Sequence, residues 1–252
     1  MPPASANKKV SPKSAATTSA NVFEALLSDI VRGNYGPGAR LPSERELSKN
    51  LGASRPTLRE ALRRLGEWGL IQVKRGSGVV VRPRRDWTLD VLPAYLRMGA
   101  PTEGPAALAT LLKDLLGIRR AMFVEVLRMV GGRLAGRNAL ASARAHAVSA
   151  WEARADVGTF VRHDYEALRS LVEAAGFLPA LWLLGGLAPV YNEIARTLTG
   201  SSPAPTDYPD TYSKIFDQLE AGGQVQEAAD SLGDYLDRHD QRLLAVLGVT
   251  IP

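Results

Sequence analysis

The sequence predicts a mainly α-helical protein in two parts: an N-terminal domain of helices with a small β hairpin, and a larger domain of helices alone. Two observations predict this class. Residues 41–82 place a short helix, a tight turn, a basic second helix and a basic hairpin in succession. Beyond residue 105, successive segments repeat apolar residues at spacings of three and four, separated by Gly, Pro, Ser or Asp.

The first helix of the N-terminal pair is expected to begin near Ser43. This serine follows a proline and precedes acidic residues, a pattern typical of a helix N-cap. Gly52 should end the helix, because glycine tolerates the left-handed conformation found at helix C-termini. Ser54 can then cap the second helix, in which Pro56 is tolerated within the first turn. Gly69 is expected to close it.

The second helix combines an apolar face with a cationic surface. Leucines and an alanine recur at helical spacing, at Leu58, Ala61, Leu62 and Leu65. Arginines occupy other positions, starting with Arg55 and Arg59 near the N-terminal end. Such a helix suits the DNA major groove, where arginine can donate paired hydrogen bonds to guanine O6 and N7.

A glycine-containing turn separates two short apolar stretches, residues 70–73 and 79–81, and predicts a β hairpin. Lys74 and Arg75 place two cations at its tip. An alternative is a solvated helix face beside an ordinary ribbon. The order of cap, turn, basic helix and basic hairpin favours a winged helix-turn-helix over residues 20–82, and hence double-stranded DNA as partner.

The same residues resemble the GntR family of bacterial transcription regulators, in the patterns LPSERELS and SRPTLREAL and in the G-S-G turn of the wing. The resemblance implies that Arg55 and Arg59 read bases, while Arg45 and Thr57 hold phosphates or share base contacts. Pro56 departs from the Thr often found there, which removes a possible phosphate contact. The full set expected to contact operator DNA is Arg45, Ser54, Arg55, Thr57, Arg59, Lys74, Arg75 and Gly76.

The N-terminal part of the chain is cationic and the C-terminal part is acidic, as expected for a DNA-binding domain joined to an effector-binding domain. Residues 21–90 carry 13 Lys and Arg against eight Asp and Glu, whereas residues 91–252 carry 15 against 18. Only the cationic part needs to displace counterions from phosphates. Residues 1–19, rich in Ser, Ala, Thr, Lys and Pro, are expected to form a disordered basic tail.

Composition also argues against several classes of protein. The chain has no cysteine, which removes disulfides and thiol chemistry. It shows no long uncharged apolar run and no secretory signal, so we expect a cytoplasmic protein without a membrane partner. No nucleophile with a base, phosphate loop or metal triad is visible, so we do not expect an enzyme.

Residues 83–104 are expected to form a linker with a short docking helix, and residues 105–248 an all-helical domain for effector binding and dimerisation. This second part resembles the effector domain of the FadR subgroup of the GntR family, an antiparallel helical bundle with a central cavity. The resemblance is clearest at residues 115–119, 164–176 and 186–191.

Many members of that subgroup hold a metal through an Asp-x3-His pair and two later histidines. Here Asp164 is kept, but Leu168, Tyr212 and Tyr235 stand at the three histidine positions. One carboxylate with two phenols cannot replace imidazole ligands near neutral pH, so we expect no metal and no cofactor. The histidines present are His146, His163 and His239. The last two could approach each other, although a solvated or helix-capping role is favoured for them.

A cavity lined by Leu and Tyr suits a long apolar ligand with a few polar contacts. By resemblance, the chain is expected to be a homodimeric regulator of fatty-acid metabolism that leaves a palindromic operator when long-chain acyl-CoA binds. Arg119 would be the cation for the ligand, with Tyr191 as a polar contact. Each tyrosine could instead be a core ring whose hydroxyl bonds to backbone, and a small organic acid or sugar acid is the alternative effector. The expected effector-binding residues are Arg119, Asp164, Leu168, Tyr191, Tyr212 and Tyr235.

Overall fold

The computed structural model describes residues 18–76, 78–98, 104–197, 200 and 204–246. Residues 1–17 of the predicted tail and Ser77 of the predicted wing turn lie outside the described residues. The chain divides into two compact units, the first holding residues up to 30 and 34–87, the second holding 31–33 and the residues from 88 onward. Among the described helices, none has the length and apolar character needed to cross a bilayer.

The first unit contains the two predicted helices and the predicted hairpin, preceded by a helix that the sequence analysis did not specify. Ser43 forms a capping box with Glu46, in which the serine side chain accepts from the Glu46 amide and the glutamate reaches back to the Ser43 amide. Gly52 ends that helix in the left-handed conformation, with φ of 60°. The helices are α1 (Ser19–Val31), α2 (Glu44–Leu51) and α3 (Arg55–Glu67).

Helix α3 begins and ends where the sequence places its caps. The Ser54 side chain accepts a hydrogen bond from the Thr57 amide, and Pro56 lies in the first turn. The predicted apolar face is buried, at Leu58, Ala61, Leu62 and Leu65. After the helix, Gly69 adopts φ of 74° while the Leu70 amide donates to the Leu65 carbonyl, which satisfies an otherwise free carbonyl of the last turn.

The wing is a two-stranded antiparallel sheet of β1 (Ile71–Lys74) and β2 (Gly78–Val81). Ile71 pairs with Val81 and Lys74 with Gly78, so the charged residue lies next to the turn and the apolar end next to α3. Arg40 forms an isolated antiparallel β-bridge with Val80, on the side of β2 that does not pair with β1. This pairing covers an edge that would otherwise expose backbone donors and acceptors.

The predicted linker, residues 83–104, contains ordered structure. Two 3₁₀ turns, Arg84–Asp86 and Leu89–Val91, precede the short helix α4 (Leu92–Arg97). Helix α4 packs against a later helix of the second unit, α8 (Leu178–Thr197).

Among the described residues of the second unit, the regular elements are all helices, and this order of elements confirms the predicted fold class. Helix α7 illustrates the reason, because Asp156 caps its start by accepting from the Thr159 amide and its buried residues recur every three or four positions. Neighbouring pairs α5–α10, α6–α7, α7–α8 and α9–α10 enclose one apolar core. The remaining helices are α5 (Pro105–Val130), α6 (Ala141–Glu152), α7 (Val157–Ala174), α9 (Tyr208–Ala221) and α10 (Val225–Val246), with a 3₁₀ turn at Gly131–Leu134.

We expect Gly69→Ala to lower the free energy of unfolding of the first unit by more than about 1–2 kcal/mol, the cost of a left-handed residue with a Cβ. The larger loss arises because the added Cβ would lie 2.3 Å from the Asp86 carbonyl oxygen. Gly76→Ala is the matched control, since Gly76 has φ of 77° and a Cβ there would meet no described atom within 4 Å. Denaturant unfolding followed by circular dichroism measures both variants. Equal losses would contradict the role of the close approach.

Candidate DNA interface and effector site

The residues predicted to contact DNA lie on the surface of the first unit. Arg45 on α2 and Arg55 and Arg59 on α3 are exposed. Lys74 and Arg75 are exposed at the turn between β1 and β2, together with Gly76. The helices and the hairpin therefore present cations to solvent, which is the requirement for contact with phosphates and base edges.

The polar residues at the start of α3 are engaged with each other. Ser54 Oγ lies 2.7 Å from Thr57 Oγ1 and also accepts from the Thr57 amide. These bonds hold the first turn of α3 in shape. If either hydroxyl contacts a DNA phosphate, it does so while it also takes part in the hydrogen bonds that cap α3.

Arg59 is held by a residue that the sequence analysis did not select. Its Nε donates to Glu44 Oε2 at 2.9 Å, which joins the start of α2 to the middle of α3. The two residues are 15 positions apart, so no helical spacing rule points to this contact. The signal available in the sequence was an acidic residue directly after a capping serine.

In the second unit, the predicted effector residues converge on the core between α5, α7, α8, α9 and α10, with Tyr191 on α8. Tyr212 donates a hydrogen bond of 2.7 Å to Asp164, and both side chains are buried. Leu168, which stands at a histidine position of the metal-binding pattern, packs in the same apolar core. Tyr235 lies edge-on to Tyr212, with ring centroids 5.2 Å apart.

An ion pair that the sequence analysis missed lies beside these tyrosines. Arg119 of α5 pairs with Asp240 of α10, and each is at most 6% exposed. The Arg119 pKa is raised; burial alone would lower it, but Tyr191, Asp240 and Asp164 favour the charged form. Arg119 is thus a charged group already neutralised by a partner, rather than a free cation.

The tyrosines of this cluster remain neutral at physiological pH. Burial raises the pKa of Tyr212 and Tyr235 well above its usual value, and the Asp164 charge acts in the same direction. Burial likewise raises the pKa of Tyr208, whose ring contacts that of Tyr212 with centroids 4.5 Å apart and planes tilted by 31°. These hydroxyls therefore keep their protons and can donate hydrogen bonds, as that of Tyr212 does to Asp164.

His239 is a further residue of the cluster, and the expectation of a solvated or capping role is wrong for it. It is 1% exposed and lies between the rings of Phe160 and Tyr235. His163 instead contacts His146, with ring centroids 5.8 Å apart. Among the described residues, no group of three His, Asp or Glu side chains could hold a metal ion.

Several polar atoms at the centre of this cluster have no hydrogen-bond partner within the described part of the chain. They are Arg119 Nε, the Oη atoms of Tyr191, Tyr208 and Tyr235, and both ring nitrogens of His239. Of these, His239 Nδ1 lies 3.5 Å from Asp240 Oδ1. Buried polar atoms in folded proteins almost always bond to protein, water or ligand. We define these five residues with Asp164, Tyr212 and Asp240 as the polar cluster.

An apolar groove of about 300 Å³ opens beside the polar cluster, between α6 and α9. The rings of Tyr208 and Tyr212 form part of both structures, so they separate the groove from Asp164. Trp151 lies in the groove and is parallel to Tyr208, with centroids 6.0 Å apart. The arrangement joins an aromatic surface to a buried set of hydrogen-bonding groups. The other groove residues include Ala147, Val148, Pro209 and Phe216.

We expect Tyr212→Phe to lower the free energy of unfolding by about 1–3 kcal/mol, because Asp164 would lose a donor while staying buried. Tyr235→Phe is the matched control, since its hydroxyl has no partner among the described residues and its removal leaves no new unpaired group. Denaturant unfolding of the ligand-free protein measures both. A larger loss for Tyr235→Phe would overturn this account of the cluster.

Comparison with known proteins agrees with this architecture. Residues 18–81 match the family model described as "Bacterial regulatory proteins, gntR family". The HTH-type transcriptional regulator Mce2R of Mycobacterium tuberculosis (strain CDC 1551 / Oshkosh) is 30% identical over 227 residues, covering 90% of this chain and 91% of that protein. The fatty acid metabolism regulator protein of Klebsiella pneumoniae subsp. pneumoniae is 28% identical over 200 residues, covering 79% of this chain and 80% of that protein.

Among solved structures, Lar, described as controlling the expression of the Listeria monocytogenes agr system, is similar in fold. It aligns with a TM-score of 0.54 and 16% identity, covering 91% of this chain and 98% of that one. The Mce2R match extends over both units, and the family model falls on the winged helix-turn-helix. The chain therefore belongs to the GntR family of DNA-binding bacterial regulatory proteins.

Proposed function

We propose that this regulator binds a palindromic operator as a homodimer in the bacterial cytoplasm and is released when a long-chain fatty acyl-CoA occupies the second unit. The observation that carries the effector part of the proposal is the polar cluster, in which several buried donors have no hydrogen-bond partner among the described residues. The name of the Klebsiella relative, a fatty acid metabolism regulator, supports the same class of ligand.

The DNA part of the proposal assigns base readout to Arg55 and Arg59. Their one-turn spacing on α3 and their exposure support contact with neighbouring base pairs. Arg45 and the wing residues Lys74 and Arg75 would hold the phosphates on either side. One winged helix covers half of a palindrome, and a two-fold dimer supplies the second half.

Charge balance in the polar cluster favours a ligand group that is polar but uncharged. The cluster contains one guanidinium, Arg119, and two carboxylates, Asp164 and Asp240. A further carboxylate would add negative charge to a site with little water, where such repulsion is costly. A thioester carbonyl can instead accept hydrogen bonds from Tyr235 or His239 without adding charge.

The remainder of an acyl ligand would need an apolar surface. The groove beside Tyr208 and Tyr212 offers one, lined by Trp151 and Phe216 among others. Each buried methylene contributes about 0.8 kcal/mol to binding. Movement of the two tyrosine rings would open the groove to the polar cluster.

A small organic or sugar acid remains the second candidate effector. The observation in its favour is the compactness of the polar cluster, in which Arg119, Tyr191 and His239 offer several donors within a small volume. The charge of Arg119 is already matched by Asp240, so an acid would have to displace that carboxylate. A preference of about 100-fold for one protein conformation, worth roughly 2.7 kcal/mol, would be enough for either ligand to act as a switch.

We expect Arg59→Ala to cost about 1–3 kcal/mol of operator binding per subunit, with little change on unrelated DNA, because the lost contact is to a base. Lys49→Ala is the control, since it removes an exposed cation of α2 that lies outside the predicted contact set. Gel-shift titration on operator and on unrelated DNA gives both affinities. An equal loss on the two DNAs would assign Arg59 to the phosphates instead.

For the effector, we expect oleoyl-CoA to release the protein from DNA of its own upstream region, and free oleate or citrate not to do so. Tyr235→Phe should keep operator binding but need about fivefold more oleoyl-CoA, the equivalent of one hydrogen bond of about 1 kcal/mol. Tyr165→Phe is the control, because that hydroxyl already donates to the Leu184 carbonyl. Release by citrate alone would reject the acyl-CoA proposal in favour of a small acid.

A further inference from the structure

The ion pair between Glu44 and Arg59 connects two helices at the surface predicted to face DNA. Glu44 is the first residue of α2, and its Oε2 accepts from Arg59 Nε at 2.9 Å. The pair is accessible to a ligand, since the side chains are 40% and 69% exposed. Neither residue is needed to cap α2, because Ser43 and Glu46 already form the capping box.

The geometry of the pair fixes which edge of the guanidinium is used. An arginine side chain carries five N–H donors in a rigid planar fork. Glu44 binds the Nε–H, so the two terminal nitrogens stay available to a second partner. Those two nitrogens match guanine O6 and N7, the pair of acceptors that guanine presents in the major groove.

The carboxylate has its own preference among bases. In the recorded contact Oε2 is bound to Arg59, which leaves Oε1 able to accept another hydrogen bond. Cytosine N4 and adenine N6 are donors in the major groove, whereas guanine O6, thymine O4 and the N7 atoms are acceptors that would repel a carboxylate. When the arginine binds guanine, the partner base is cytosine, whose N4 can donate to the carboxylate. The arginine and the carboxylate together therefore favour a G·C pair.

We infer that Glu44 is a specificity-determining residue, which orients Arg59 toward guanine and penalises other bases at that position of each half-site. This inference rests on the proposed base readout by Arg59. It assigns Glu44 a positioning role with a direct contact to cytosine, and it makes the pair, rather than the arginine alone, the unit that reads the operator.

A purely structural role for Glu44 predicts a different outcome. An acidic residue in the first turn of a helix interacts favourably with the helix dipole, and an exposed ion pair adds little more. Replacing Glu44 would then weaken binding to all sequences through a less stable α2. It would not change which base is preferred.

The test is selection of bound sequences from a randomised duplex DNA library by the wild-type protein, Glu44→Gln, Glu44→Ala and Arg59→Ala. Glu67→Gln is the matched control, because it removes the same charge from an arginine-paired glutamate at the C-terminal end of α3. We expect the wild type and the control to select G·C at one position per half-site. In Glu44→Ala that preference should fall by about tenfold, within the usual range for one bidentate base contact.

Three results separate the possibilities. The G·C preference of Glu44→Gln should lie between those of the wild type and Glu44→Ala. The glutamine amide oxygen can still accept from Arg59 Nε, but the negative charge is gone. If both Glu44 variants keep the G·C preference, the inference about Glu44 is overturned. If Arg59→Ala alone loses that preference, base readout by Arg59 still stands. If every variant, Arg59→Ala included, keeps the wild-type preference for G·C, the proposed base readout by Arg59 is overturned as well.

Discussion

The charges buried in the core of the second unit are the constraint on which its architecture depends. Arg119 and Asp240 come from α5 and α10, helices that are 121 residues apart in sequence at these positions. Removing one partner of such a pair typically costs about 3–5 kcal/mol, because the other charge stays buried. The packing of α5 on α10 is therefore specified by electrostatics as well as by apolar contact, and Asp164 with Tyr212 applies the same requirement to α7 and α9.

The first unit solves a different problem. Its charged groups must remain at the surface to reach DNA, so they cannot contribute to a core, and local hydrogen bonds fix the shape of the helices instead. The capping box at Ser43, the cap at Ser54 and the turn at Gly69 define where α2 and α3 begin and end. Exposed cations on rigid elements can contact DNA with little loss of conformational freedom.

Local signals explain which features could be predicted from the sequence. Helix caps and the hairpin turn depend on residue types at fixed short offsets, as at Ser54 and Thr57. The fold class, and the elements that carry the residues predicted to contact DNA, could therefore be inferred without coordinates. The part played by His239 and by the Arg119–Asp240 pair could not, because it depends on which faces of distant helices meet. The same reason hid Glu44, whose partner Arg59 lies on another helix.

The parallel packing of Trp151 on Tyr208 has an optical consequence. An indole stacked on a phenol at the mouth of the groove senses any change in the position of that ring. Trp68, by contrast, packs edge-on against Phe23 in the first unit. The intrinsic fluorescence of the chain thus contains a native probe of the groove, which responds to movement of the Tyr208 ring and needs neither a label nor DNA.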